Sequence, residues 1–191
     1  MRTWIAAAVL SAATAYGQQI PRPSPDYTIT IPGSGKQVTV GQYKGKVIAL
    51  EFLLTTCPHC QAASRVLAKL EKELGPKGFQ PLGVAINERP DIDGFRQMTG
   101  ATYPIGISPR ESVYGYLQHS IMQPNLLMPQ LVFVDRNGQI RAQYAGDSDF
   151  FDDKNEEKNM RDMVTKLLAE GAPAAKKPAQ AAAPAKKKKV S

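Results

Sequence analysis

Apolar and polar positions change period several times along the chain, and each change predicts an element. Val47-Ile48-Ala49-Leu50-Glu51-Phe52-Leu53-Leu54 is apolar on both faces, as in a strand covered on both sides. From Cys60 to Leu74 the residues Ala63, Val66, Leu67, Leu70 and Leu74 recur at helical spacing, and the run stops at Gly75-Pro76. Phe79 to Ile86 then reads as a second strand, so the strand, helix and strand together permit a parallel pair. Upstream, Tyr27 to Ile31 and Gln37 to Val40 flank the turn Pro32-Gly33-Ser34-Gly35 and predict a short hairpin, with a further turn at Lys44-Gly45-Lys46. Downstream, Asp91 to Gly100 predicts a short helix with Ile92, Phe95 and Met98 on one face, followed by an extended piece at Tyr103 to Ile107 and a helix at Arg110 to Leu117. Gln130 to Asp135 alternates, Asn137-Gly138 is a strong hairpin signal, and Ile140 to Tyr144 is expected to return antiparallel. Met160, Met163, Val164, Leu167 and Leu168 form the stripe of a last helix, from about Asn155 to Ala169. The fold class is α/β: a mixed central sheet flanked by helices, with an N-terminal β-hairpin extension.

Composition changes the picture at the two ends. An apolar share of 42% and a charged share of 21% suit one globular domain. The net charge of +7 invites a nucleic-acid reading, but residues 171–191 carry six lysines and no acid, and Arg2 adds another cation. Residues 18–170 hold 17 basic and 17 acidic side chains, so the body lacks the electrostatic footprint of a duplex-binding domain. Met1-Arg2-Thr3, the apolar run Trp4 to Ala15 and the small residues of Ala15-Tyr16-Gly17 have the order of a secretory signal peptide, giving residues 1–17 as a cleaved leader. The run is too short for a membrane span. An exported protein, periplasmic or otherwise extracytoplasmic, is expected. Residues 18–26, with Pro21, Pro23 and Pro25, read as an extended arm, 27–170 as the domain, and 171–191 as a disordered Ala/Pro/Lys tail. That tail is either a solvated flexible end or an electrostatic tether to anionic envelope surfaces; the first is preferred.

The candidate chemistry is carried by two cysteines, Cys57 and Cys60, in the tetrad Cys57-Pro58-His59-Cys60 at a strand-to-helix junction. Haem attachment would need a histidine where Gln61 stands. A zinc site would need four ligands, whereas only His59 and His119 accompany the thiols. A purely structural disulfide would close a four-residue loop, worth only about 2 kcal/mol on the chain-entropy estimate. A redox dithiol remains, because a helix beginning near Pro58 would turn its positive end toward Cys57 and favour a thiolate there. Cys57 is then the nucleophile and Cys60, one turn along, the resolving thiol. His59 is either a tuner of the thiolate or a bystander on the first turn. Glu51 breaks an otherwise apolar strand six residues before Cys57. Either the strand is an edge and Glu51 faces solvent, or the carboxylate is buried for a purpose, where it would reach beneath Cys60 as its proton acceptor.

The stretch Gly41-Gln42-Tyr43-Lys44-Gly45-Lys46-Val47-Ile48-Ala49-Leu50-Glu51-Phe52, ending in Cys-Pro-His-Cys, resembles thioredoxin-like redox proteins of the TlpA and redoxin (AhpC-TSA-like) type, with a DsbA-like active-site tetrad. The resemblance covers about Asp26 to Ala169 and implies a thioredoxin-like fold. It places Glu51 at the buried acid of those proteins. It also makes Pro129 their cis-proline and Met128 the residue that pairs its backbone with substrate, beside Pro58 of the tetrad. From sequence alone, a trans proline opening a strand is the ordinary expectation at Pro129. The chain departs from the family in having Leu53 and Thr56 where aromatics are frequent, Gln130 where a Thr commonly follows the proline, and a longer His119 to Met128 approach.

The expected function is that of an exported thiol-disulfide oxidoreductase exchanging with cysteine-containing envelope proteins and with a redox partner protein. Cytochrome c maturation or disulfide formation would be its setting. No metal or organic cofactor is implied. A peroxiredoxin-like thiol peroxidase shares the scaffold but needs an arginine by the thiolate, and none is near in sequence. A non-catalytic envelope-binding module using the lysine tail is the third reading. Tyr103, Tyr114, Tyr116 and the Met and Leu residues near 121–128 line an apolar groove or fill the core, and core is preferred.

Overall fold

The computed structural model describes residues 19–120, 122–123 and 125–170. The expected leader and the lysine-rich tail lie outside them, as do Ile121 and Pro124. Eight strands form one sheet: β1 (Arg22–Pro23), β2 (Thr28–Thr30), β3 (Gln37–Thr39), β4 (Val47–Leu53), β5 (Phe79–Ala85), β6 (Ile105–Ile107), β7 (Gln130–Val134) and β8 (Gln139–Tyr144). Among the described residues four α-helices accompany them: α1 (Pro58–Leu74), α2 (Ile92–Thr99), α3 (Arg110–Leu117) and α4 (Glu156–Glu170). The strand order is β1-β8-β7-β4-β5-β6-β2-β3. β4 is parallel to β5 and antiparallel to β7, so the expected mixed sheet has β4 at its centre and every β4 residue buried.

The two faces of β4 feed two cores because side chains alternate along a strand. Val47, Ala49 and Leu53 pack with Ala63, Leu67 and Leu70 of α1, Phe95 of α2, and Met160 and Val164 of α4. Ile48, Leu50 and Phe52 pack with Tyr27 and Val38 of the hairpin region and with Val113 and Tyr116 of α3. Tyr103 and Tyr116 are buried members of these two cores, as expected, whereas Tyr114 is buried outside both and lines an open cleft. The apolar segment after α3 is different: Met122 and Leu127 are exposed, and Leu126 and Met128 are only half-buried.

Three local features depart from the pattern. Met98 is exposed and Thr99 takes the buried place at the end of α2, where its hydroxyl donates to the Phe95 carbonyl at 2.8 Å. Between β7 and β8, Asn137-Gly138 does not form a two-residue hairpin turn. The Gly138 N–H donates to Asp135 O at 2.9 Å and only Gly138 has positive φ, 78°, which makes a type I turn closed by a left-handed glycine. The proline arm is also tied down: Arg22–Pro23 pairs antiparallel with Gln139–Ile140, and Arg22 is buried, donating to Tyr116 O at 3.2 Å and Gln143 Oε1 at 2.9 Å.

Candidate active site

The dithiol sits where β4 ends and α1 begins. Pro58 occupies the first turn of α1, where its missing N–H costs no helical bond, and Cys57 caps the helix in an extended conformation. Cys57 Sγ accepts from the Cys60 N–H at 3.5 Å, and the Cys57 N–H donates to Leu54 O at 3.0 Å. The two sulfurs are unequal. Cys57 is half-buried, whereas Cys60 faces inward, fully buried, and accepts from the Leu54 N–H at 3.5 Å. Pro58 and His59 are both exposed beside them.

Glu51 shares the face of β4 that carries Ala49 and Leu53, and that face is covered by α1. It pairs with Gly83 of β5 on one side and Leu131 of β7 on the other, so the edge-strand reading of this residue is excluded and its carboxyl is fully buried. Two hydroxyls reach one oxygen: Ser64 Oγ donates to Glu51 Oε2 at 2.5 Å, and Tyr103 Oη donates to the same atom at 3.5 Å. Glu51 Oε1 is enclosed and has no hydrogen-bond partner among the described residues. Burial pushes the Glu51 carboxyl up to about 8, helped by the charge of Glu156 in the first turn of α4 and opposed by the Ser64 and Tyr103 hydrogen bonds. Burial first, and the Glu51 charge second, push the Cys60 thiol upward.

The turn that presents Cys57 is braced from the end of β5. Asn87 Oδ1 accepts from the Thr55 N–H at 3.1 Å, while Asn87 Nδ2 donates to Thr55 Oγ1 at 3.1 Å. Gln61 Nε2 donates to Thr55 O at 3.1 Å, closing the brace from α1. Across the sheet end, the Met128-Pro129 bond is cis. Gln130, buried at the start of β7, donates its amide to Leu127 O at 2.6 Å and ties the loop to the strand. Gly146 backs this loop: a Cβ there would collide with Met128 O and stand 2.5 Å from Met128 C, so the approach of the two backbones requires glycine.

An open cleft of about 290 Å³ lies past the ends of β4 and β5, lined by residues that include Leu54, Ile86, Asn87, Arg110, Tyr114 and Met128. Arg110 donates to Tyr114 Oη at 2.9 Å in the wall of this cleft. The structure thus gathers Glu51, Cys57, Pro58, His59 and Cys60 around the start of α1, with Met128 and Pro129 in the braced loop beside the same sheet end. Sequence reading missed Ser64, Asn87, Glu156 and Gly146. The first was legible in part, since a serine four residues after Cys60 must lie on the same helical face. The others depend on contacts between distant segments.

Residues 16–163 match the Redoxin family. The thiol-disulfide oxidoreductase ResA of Geobacillus kaustophilus is 25% identical over 124 residues, which are 64% of this chain and 67% of that protein. Among solved structures, a thioredoxin-family thiol:disulfide interchange protein from Chlorobium tepidum superposes with a TM-score of 0.64 at 20% identity, over 80% of this chain and 99% of that one. The thioredoxin domain of a thiol-disulfide oxidoreductase from Bacteroides vulgatus gives 0.60 at 21% identity, over 78% and 96%. These structures share the thioredoxin-like fold. With a cysteine pair at the head of α1 and a redoxin match that spans most of its length, the chain belongs to the Redoxin family, as a thiol-disulfide oxidoreductase.

Proposed function

We propose that this protein works outside the cytoplasm as a donor of electrons to disulfides in other exported proteins. In the forward step the Cys57 thiolate attacks one sulfur of a substrate disulfide, and the other substrate sulfur leaves as a thiolate with the electron pair of the broken bond. The Cys60 thiol gives its proton to Glu51, and its sulfur attacks Cys57 Sγ. The second substrate thiolate is released and the Cys57–Cys60 disulfide remains. A redox partner protein must then return two electrons and two protons. Met128 offers backbone to the substrate, Pro129 and Pro58 flank the reacting sulfur, and His59 adjusts it from the solvent side.

The observation that favours the reducing direction is the buried carboxyl next to buried Cys60. A strong oxidant of this type owes its potential to a stabilised reduced form. Here burial and the Glu51 charge both work against a Cys60 thiolate, so the reduced form gains nothing on that side. Reduction of apocytochrome thiols before haem attachment, implied by the likeness to TlpA-type proteins, is the setting that fits a reductant. The leader-like residues 1–17 support export.

The test is the reduction potential of the Cys57/Cys60 pair in a redox buffer, read by the mass added on thiol alkylation. A value near about −270 mV or below is expected. A value near about −180 mV or above would make the protein an oxidant or isomerase and overturn the reading.

A further inference from the structure

The Glu51 carboxyl is held asymmetrically. Both hydroxyls that reach it, Ser64 Oγ at 2.5 Å and Tyr103 Oη at 3.5 Å, bond to Oε2, and Oε1 is buried without a partner among the described residues. Ser64 is itself fully buried within α1, where alanine would serve helix and packing better. A serine inside a helix ordinarily turns its hydroxyl back to the carbonyl four residues earlier, which here is that of Cys60. Instead it donates across to the strand. Tyr103 comes from the segment before β6, so two separate parts of the chain converge on a single carboxylate oxygen.

We infer that Ser64 and Tyr103 are positioning residues of the proton relay: their hydroxyls pin Glu51 Oε2, so that Oε1 is the atom left to take the proton of Cys60. The inference rests on the proposed relay role of Glu51. It adds the element that orients the carboxylate and keeps it ionisable. Each hydroxyl hydrogen bond favours the charged form and opposes the burial that would otherwise hold Glu51 permanently protonated. The ionisable groups that interact with Glu51 are Cys60 at the head of α1, Tyr103 before β6 and Glu156 of α4; Cys57 acts one step removed, through Cys60. β5 and β7 place only Gly83 and Leu131 beside it. Glu71 of α1 acts one step removed, through Tyr103.

The two thiols can be followed separately by mixing the reduced, full-length protein with dithionitrobenzoate in a stopped-flow instrument. Cys57 displaces the first thionitrobenzoate. Cys60 then loses its proton, attacks Cys57 Sγ and displaces the second. For Ser64→Ala the pH midpoint of the second phase should rise by about one unit, the second phase should slow about tenfold below that midpoint, as for one lost hydrogen bond to a charged group, and the rate should recover at alkaline pH. Ser64→Thr should restore the wild-type profile. Tyr103→Phe, which leaves α1 untouched, should shift the midpoint in the same direction by less. The first phase should not change in any of them. If the Ser64→Ala profile superimposes on wild type, or is slowed equally at every pH, while Glu51→Gln abolishes the pH dependence, the relay stands and the positioning role falls. If Glu51→Gln leaves the second phase unaltered, the relay falls and this inference with it.

Discussion

Replacing Glu51 with glutamine should make the protein less stable at low pH and more stable at high pH, and the crossing can be worked out from the site. The Glu51 carboxyl is fully buried and pushed up to about 8, against an ordinary value of 4.5. A carboxyl raised on folding binds its proton more tightly in the native than in the unfolded chain. Between those two values the unfolded state has released the proton and the native state has not, so stability falls by about 1.4 kcal/mol for each pH unit. The fall starts near the unfolded value and levels off above the native one. Its total is on the order of 5 kcal/mol, a large part of the stability of a small domain.

The glutamine side chain of the variant does not titrate and escapes this loss. Its amide oxygen can still accept from Ser64, but its NH2 group takes the place of an oxygen that has no partner among the described residues, at a cost of roughly 1–3 kcal/mol at every pH. Wild type should therefore lead at about pH 5 and Glu51→Gln at about pH 9. Urea unfolding of the two reduced proteins, followed by far-UV circular dichroism at matched ionic strength, measures the difference at each pH. Taking differences removes the contribution of titrating groups that do not interact with Glu51; Glu156, which burial raises to about 7, does interact with it, so its share is removed by repeating the pair in a Glu156→Gln background. A difference that does not vary with pH would refute the argument, because Glu51 would then carry the same proton in both states.

Two further substitutions test the bracing of the site. Gly146→Ala must push the Met128-Pro129 backbone away, since the new Cβ would meet Met128 O and C rather than a flexible side chain; a loss of about 1–3 kcal/mol and a lower rate of insulin-disulfide reduction are expected, and an unchanged rate would mean the loop does not have to sit where it does. Asn87→Ala removes every side-chain bond from this residue to Thr55 and leaves the Thr55 N–H without its acceptor, so about 1–3 kcal/mol should be lost and the Cys57 alkylation rate should change; an alkylation rate identical to wild type would show that Gln61 alone holds the turn.

What the sequence made legible follows from how local each cause is. β4 reads directly from Val47 to Leu53 because a central strand is apolar on both faces, and α1 because its stripe keeps helical spacing until Gly75. The Asn137-Gly138 signal located the hairpin between β7 and β8; its turn type depends further on the Asp135 carboxylate, which accepts from the Asn137 and Gln139 N–H groups at 2.9 Å each. Met98 fits the apolar face by spacing yet is exposed, because an eight-residue helix has too little periodicity to separate it from Thr99. The docking of Arg22–Pro23 against β8 joins segments that lie far apart in the chain, and no local pattern announces it. The same reason hides Asn87 and Gly146, each of which acts on a segment remote in sequence.

Glu51 is the exception, and it shows why a site can be more legible than the fold around it. A carboxylate in a buried strand costs several kcal/mol unless its surroundings compensate, so the residue contradicts its own segment. The compensation is partial: one oxygen has two hydroxyl donors and the other has none among the described residues. Full satisfaction of both oxygens would settle the carboxyl as an anion and take from it any tendency to accept a proton; no satisfaction would keep it neutral throughout the neutral range. Ser64 and Tyr103 leave it between these limits, on the face of β4 that α1 covers and within electrostatic reach of Cys60, the thiol that loses its proton in the proposed second exchange. In the proposed exchange the asymmetry between the sulfurs sets the order of events. Half-buried Cys57 can meet a disulfide from outside, whereas fully buried Cys60 can reach only the sulfur of Cys57.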